Sequence, residues 1–143
     1  MSVVLLPVLT ELPAGFDQLR GDAREEGHTN MERLATDWIS GAHRFAATGE
    51  SLLAAFVAEE LAGVGGITRD PACPRALRLH RFYVRPRFRR LGVGRCLAFA
   101  LVEKAYPLTD QLVLNAETEL AVRFWEALGF VADRRNGHSH VWP

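Results

Sequence analysis

The stretch Phe82-Tyr83-Val84-Arg85-Pro86-Arg87-Phe88-Arg89-Arg90-Leu91-Gly92-Val93-Gly94-Arg95 joins an apolar strand end, a basic loop and two glycines opening a helical pattern. A helix N-terminus carries free N–H groups and a partial positive charge, which together attract phosphate. Glycine there removes the Cβ that would hold a phosphate away from the main chain. Neighbouring arginines add charge-assisted contacts. Two other phosphate loops are excluded. A Walker loop needs Gly-Lys-Ser or Gly-Lys-Thr, whereas Gly94 is followed by Arg95-Cys96. A dinucleotide fingerprint needs a third glycine three positions after Gly94, where Leu97 stands. Taken alone, Gly-x-Gly also fits an ordinary helix start with a solvated basic face.

Other chemistry-bearing residues read more blandly. Cys73 and Cys96 are the only cysteines and make no disulfide framework. His138 and His140 would share one face of a strand, but no third ligand at suitable spacing appears, so no metal site is expected. Asp70, within Thr68-Arg69-Asp70-Pro71, suits a strand exit that caps its own backbone. Trp38 and Phe45 suit packing of N-terminal helices.

The elements that must position these residues can be read from pattern. The 143 residues suit one domain, with 48% hydrophobic and 24% charged residues. Lys plus Arg and Asp plus Glu balance at 17 each, which argues against a nucleic-acid or membrane partner. The charge is uneven: Arg78, Arg81, Arg85, Arg87, Arg89, Arg90 and Arg95 crowd one stretch, as a local anion site would require. The apolar N-terminus is too short to span a membrane and lacks a basic lead-in, so the expected address is the cytoplasm.

A strand is expected over 3–9, helices over 16–26 and 31–40, and strands over 52–58, 61–68 and 77–84. Asn30 suits the N-cap of the second helix and Gly41 its stop. Gly63, Gly65 and Gly66 allow a bulge or close backbone contact. A helix over 92–105, a strand over 112–114 and a helix over 118–128 follow. The strands 130–134 and 138–142 would close as a hairpin around Asn136-Gly137. The order βααβββαβαββ implies an α/β (α+β) fold with one central, mixed, mostly antiparallel sheet flanked by helices, over residues 1–143 as a single domain.

Arg89-Arg90-Leu91-Gly92-Val93-Gly94 resembles the Arg/Gln-x-x-Gly-x-Gly/Ala signature of GNAT N-acetyltransferases, with the usual aromatic-Val-x-Pro strand end before it. Ala121-Val122-Arg123-Phe124-Trp125-Glu126-Ala127-Leu128-Gly129-Phe130 resembles the family's second motif, Ala-x-x-Phe-Tyr-Glu-x-x-Gly-Phe. The resemblance is densest from about Leu77 to Phe130. It implies a GNAT-like fold and an acetyl-CoA-dependent transferase. The main chain of Phe82, Tyr83 and Val84 would pair with pantetheine. Arg89 and the segment Arg90, Leu91, Gly92, Val93, Gly94 and Arg95 would wrap the pyrophosphate. Thr118, Ala121 and Trp125 would complete the cofactor site.

The same resemblance implies direct attack by an amine in a ternary complex. Trp125 stands where relatives often have the Tyr that protonates the leaving thiolate, and indole is no acid at neutral pH. Many relatives carry a Glu base on the strand where this chain offers Arg78 and His80. Strand alternation would put Arg78, His80, Phe82 and Val84 on one face, with His80 as general base or else a structural histidine. The acceptor is open among small-molecule and peptide amines, and a homodimer is compatible with the resemblance. The alternative reading is a CoA-binding regulatory module without catalysis; a nucleic-acid binder is the weakest.

Overall fold

A computed structural model describes residues 2–135 and 137–143. The elements are β1 (Val3–Pro7), α1 (Phe16–Glu25), α2 (Asn30–Ser40), β2 (Ser51–Val57), β3 (Glu60–Asp70), β4 (Cys73–Val84), a 3-10 turn (Pro86–Phe88), α3 (Val93–Ala105), β5 (Leu112–Leu114), α4 (Glu119–Leu128), β6 (Val131–Ala132) and β7 (His140–Trp142). Strands and helices follow the order implied by the sequence. One mixed sheet, ordered β1-β2-β3-β4-β5-β7-β6, is antiparallel except between β4 and β5. This is the single mixed, mostly antiparallel sheet flanked by helices that the sequence implies. No helix among the described residues is long and apolar enough to cross a membrane.

The sheet is buried on both faces, which is why β2 reads as a continuous apolar run. Leu53, Ala55 and Val57 face α3 with Leu97, Ala98 and Leu101. Leu52 and Ala54 face the opposite way, with Leu19, Leu34 and Trp38 of α1 and α2. Leu97 and Leu101 are fully buried, each worth roughly 1.5–3 kcal/mol of transfer energy.

Several boundaries differ from the sequence reading. Asn30 is the first helical residue of α2, not its cap; Thr29 occupies the cap, and the Asn30 side chain reaches away to the sheet. The β2–β3 turn sits on Ala58 and Glu59, at φ 49° and 68°, one position earlier than expected. His138 lies outside β7, which begins at His140, so the two histidines do not share a strand face. The Asn136-Gly137 turn involves Asn136, which lies outside the described residues. The Asp70 carboxylate accepts from Ala72 N at 3.2 Å, as its capping role predicts.

The departure with the largest consequence is in β4. Val64 pairs with Tyr83 and Gly66 with His80, so Arg81 and Phe82 together oppose the single residue Gly65. This is a bulge, and Arg81 adopts φ 54° within it. A bulge reverses the alternation. Leu77 and Leu79 face α3 before it, and Phe82 and Val84 face α3 after it. Tyr83 packs with α1 and α2. His80 therefore lies on the face opposite Phe82 and Val84, not beside them.

Candidate active site

The parallel β4–β5 pairing holds only Leu77 with Leu112 and Arg78 with Val113. From Leu79 to Val84, β4 continues with no described strand on that side. The Arg85 amide donates to Ala62 O on β3 at 2.8 Å. By the two-residue period, the Tyr83 amide also turns to β3, and those of Phe82 and Val84 turn to the unpaired edge. On that edge the Phe82 carbonyl accepts from Asn30 Nδ2 at 3.2 Å, and the Val84 carbonyl accepts from Arg89 Nε at 3.0 Å.

Phe82 anchors the edge. Its ring lies over Gly65, where an added Cβ would meet Phe82 Cδ2 at 2.7 Å. The same ring packs against Trp125 (centroids 4.8 Å) and Phe124 (5.7 Å) of α4. Trp125 also contacts Phe130 at 5.3 Å and is only 6% exposed. It is a core wall beneath the edge. Ala121 packs partly buried against the same core. Thr118 caps α4, its Oγ1 accepting from Ala121 N at 3.1 Å.

After the 3-10 turn, Arg90 (φ 65°) and Gly92 (φ 83°) are left-handed around Leu91. Such alternation turns successive amides toward one concavity that suits an anion. Gly92 is the N-cap of α3, with no side-chain cap and no acidic residue in the first turn. The Cys96 amide is the first to close on the helix, to Gly92 O at 3.0 Å. The preceding helical amides of Val93, Gly94 and Arg95 stay free for an anion. Arg90 and Arg95 are exposed, and no described carboxylate lies within 4 Å of either. The two glycines differ. Gly92 supplies a left-handed φ and faces open space, whereas a Cβ on Gly94 would meet the Phe124 ring at 3.2 Å. Gly94 thus admits α4, which brings Val84, Gly94 and Phe124 into one contiguous wall.

Arg89 is held from behind. Its guanidinium binds both oxygens of Glu26, at 2.8 and 2.6 Å, and lies 5.5 Å over the Tyr83 ring. The Tyr83 hydroxyl donates to Glu26 Oε1 at 2.5 Å. The Arg89 hydrogen bonds pull the Glu26 carboxyl below its ordinary value. Burial, then the Glu26 bond, pushes the Tyr83 phenol up. Arg89 and Tyr83 therefore tie the loop to the end of α1. No local pattern pointed to Glu26, because its partners lie 63 and 57 residues away.

His80 is partly buried on the α2 side. Burial foremost, with the charges of Arg81, Arg78, His43 and Arg33, lowers its pKa to about 3. It is a neutral imidazole at physiological pH. The described residues hold no group of three or more metal-ligand side chains; His140 instead bonds Glu126 and Ser139, each at 2.8 Å.

An unpaired strand edge leading into a basic loop and a bare helix N-terminus could hold an extended ligand ending in phosphate. The sequence model of the acetyltransferase (GNAT) domain matches residues 20–140. The chain belongs to the GNAT acetyltransferase family. A protein from Exiguobacterium sp. 255-15, provisionally described as an acetyltransferase, shares 25% identity and superposes with a TM-score of 0.87, over 99% of this chain and 93% of that one. An acetyltransferase from Streptococcus agalactiae 2603 gives 0.71 at 16% identity, over 97% and 96%. A GNAT acetyltransferase from Staphylococcus aureus Mu50 gives 0.67 at 12% identity, over 98% and 96%. The last two likenesses are of fold. No curated protein matches the sequence significantly. Within the GNAT family, acetyl-CoA is the general acyl donor and amines are the acceptors.

Proposed function

We propose that the protein is an acetyl-CoA-dependent N-acetyltransferase that acts on a primary amine by direct attack within a ternary complex. The observation that supports this most is the unpaired edge of β4 from Leu79 to Val84, ending at the amide-lined loop before α3. CoA joins an extended chain of amides to a pyrophosphate, the chemical order that this edge and loop present. In this reading the main chain of Phe82 and Val84 pairs with pantetheine. Arg90, Leu91, Gly92, Val93, Gly94 and Arg95 supply amides and charge for the pyrophosphate. Tyr83, Arg89 and Thr118 shape the site through Glu26 and the α4 cap. Ala121 and Trp125 wall it from below.

Acetyl-CoA supplies an activated acyl group when bound. Of the outward N–H groups on this edge, the one nearest the thioester is a rigid donor for charge that builds on the acyl oxygen while the other holds pantetheine, and a preorganised donor is worth about 3–4 kcal/mol of barrier. The amine proton passes to water, because His80, with its pKa drawn down to about 3, holds no proton at neutral pH. Trp125 offers no proton for the thiolate, so thiol departure relies on its own acidity.

Thermal unfolding with millimolar CoA tests the cofactor site, because a ligand at 100 times its Kd stabilises by about 2.7 kcal/mol. A rise in Tm is expected. Removing the pyrophosphate from the ligand should erase more of it than removing the 3′-phosphate. An unchanged Tm would overturn the reading. Thiol release with an amine panel tests transfer; binding without release with any amine would favour the regulatory-module reading, for which buried Trp125 and untitrating His80 speak.

A further inference from the structure

On the sheet face opposite Phe82 and Val84, an open cleft of about 270 Å³ lies between α2 and the β4 bulge. Thr29, Glu32, Arg33, Thr36, Asp37 and Arg81 line it. Its charges do not cancel locally. Arg20 holds both oxygens of Glu32, at 2.9 and 2.8 Å, and Arg24 adds a further contact; the Glu32 carboxyl is drawn down to about 2 by these bonds. Glu32 is thereby neutralised from outside the cleft. Arg81 is 14% exposed, and its carboxylate neighbour Asp37 stays 3.7 Å away, beyond hydrogen-bond distance. No described carboxylate lies within 4 Å of Arg33, which is exposed.

Two guanidinium groups thus face the cleft against one loosely placed carboxylate. Arg78 lies on the same side of β4, since it and His80 share the strand face that the bulge later reverses. In a chain with 17 basic and 17 acidic residues, this excess is one of position. Desolvation of Arg81 is offset only in part by Asp37, which approaches without a hydrogen bond, so the guanidinium retains donors for a further anion. Guanidinium groups match the planar or forked oxygens of carboxylate and phosphate. Thr29 and Thr36 belong to the same lining.

The cleft also adjoins the proposed transfer point. Asn30 follows Thr29 and donates to the Phe82 carbonyl at the unpaired edge. The Asn30 Oδ1 atom is buried and has no partner among the described residues.

Resting on the acetyl-transfer reading, we infer that the acceptor is an amine that itself carries a carboxylate or phosphate, with Arg33 and Arg81 seating that anion in the α2–β4 cleft. The amino end then points past Asn30 toward Phe82. Polyamines are repelled by the same two arginines.

The test measures thiol release from acetyl-CoA with matched amines: serine against serinamide, phosphoethanolamine against ethanolamine, and putrescine. The first pair reads carboxylate, the second phosphate. At least one anionic member should exceed its neutral partner in kcat/KM by tenfold or more. Arg33→Gln should raise KM for that amine roughly ten- to a hundredfold, the worth of one charged hydrogen bond. KM for acetyl-CoA and kcat with the neutral partner should stay within a few-fold, and Arg33→Lys should recover part of the loss. Arg33 is exposed, so its substitution does not threaten folding as one at Arg81 would. Equal or better turnover of the neutral amines or putrescine, or selectivity unchanged in Arg33→Gln, overturns the inference while transfer itself stands. Thiol release with none of the five overturns the inference, while the transfer reading is decided separately by CoA binding and the wider amine panel.

Discussion

His80 lies in a partly buried strand position with the guanidinium groups of Arg81, Arg78 and Arg33 acting on it, and both burial and charge favour the neutral ring. A base must bind a proton to carry it, and a group with a pKa of about 3 releases one at once at neutral pH. The pH profile of kcat/KM should accordingly show no ionisation near the ordinary histidine value of 6.5; it should rise instead with deprotonation of the acceptor amine. His80→Gln should cost only a few-fold. A loss of about a hundredfold, with an ionisation near 6.5 that vanishes in the variant, would identify His80 as the titrating base. Arg89 calls for a different test. Its pair with Glu26 is part-exposed, so solvent screening limits the direct gain to about 1 kcal/mol. Glu26→Gln should lower Tm by a few degrees, shared with Arg89→Ala, and leave CoA affinity nearly unchanged. A large loss of CoA affinity in Arg89→Ala alone would mean that its side chain meets the phosphates directly.

At the scale of elements, the start of α3 divides two tasks between two glycines. Gly92 must be left-handed but faces open space, so Gly92→Ala meets no clash and carries only the strain of a left-handed L-residue, about 1–2 kcal/mol. That strain should appear as weaker CoA binding when the loop relaxes, with little change in the unfolding of the core. Gly94→Ala should behave in the opposite way. Its new Cβ would press the Phe124 ring, destabilising the α3–α4 contact by about 1–3 kcal/mol while leaving the loop amides in place. Urea unfolding and CoA titration on both variants check this; equal effects on both readouts would contradict the division. The Gly-x-Gly spacing was legible in the sequence, but not which glycine served which neighbour. Phe124 lies thirty residues onward and reaches Gly94 only once α4 docks.

For the whole molecule, acid should weaken the fold in a defined window. Between about pH 6.5 and 3 the unfolded chain binds a proton at His80 that the folded chain refuses, so stability rises with pH across that range and falls as pH is lowered through it. Glu26, whose pKa is lowered by Arg89, adds a loss in the same direction once pH drops below its ordinary value of 4.5. Tm should therefore decline from about pH 6.5 downward, and His80→Gln should flatten the upper part of that decline. An identical pH dependence in the variant would mean that His80 titrates alike in both states.

The sequence by itself determined the order of elements, the single central sheet flanked by helices and the family. Those properties follow from short-range facts: apolar period, glycine stops and two motifs in sequence order, each readable within a dozen residues. Only the tertiary structure decided the face of His80, the Glu26 partnership of Arg89 and the cation-rich cleft at Arg33 and Arg81. The β4 bulge falls on Arg81, a residue with no intrinsic preference for φ 54°, opposite glycines whose missing side chains admit Phe82 and Phe45. Strand alternation assumes an unbroken ladder. One extra residue in that ladder turned every later side chain to the other face, and packing across the sheet, rather than local propensity, put it there.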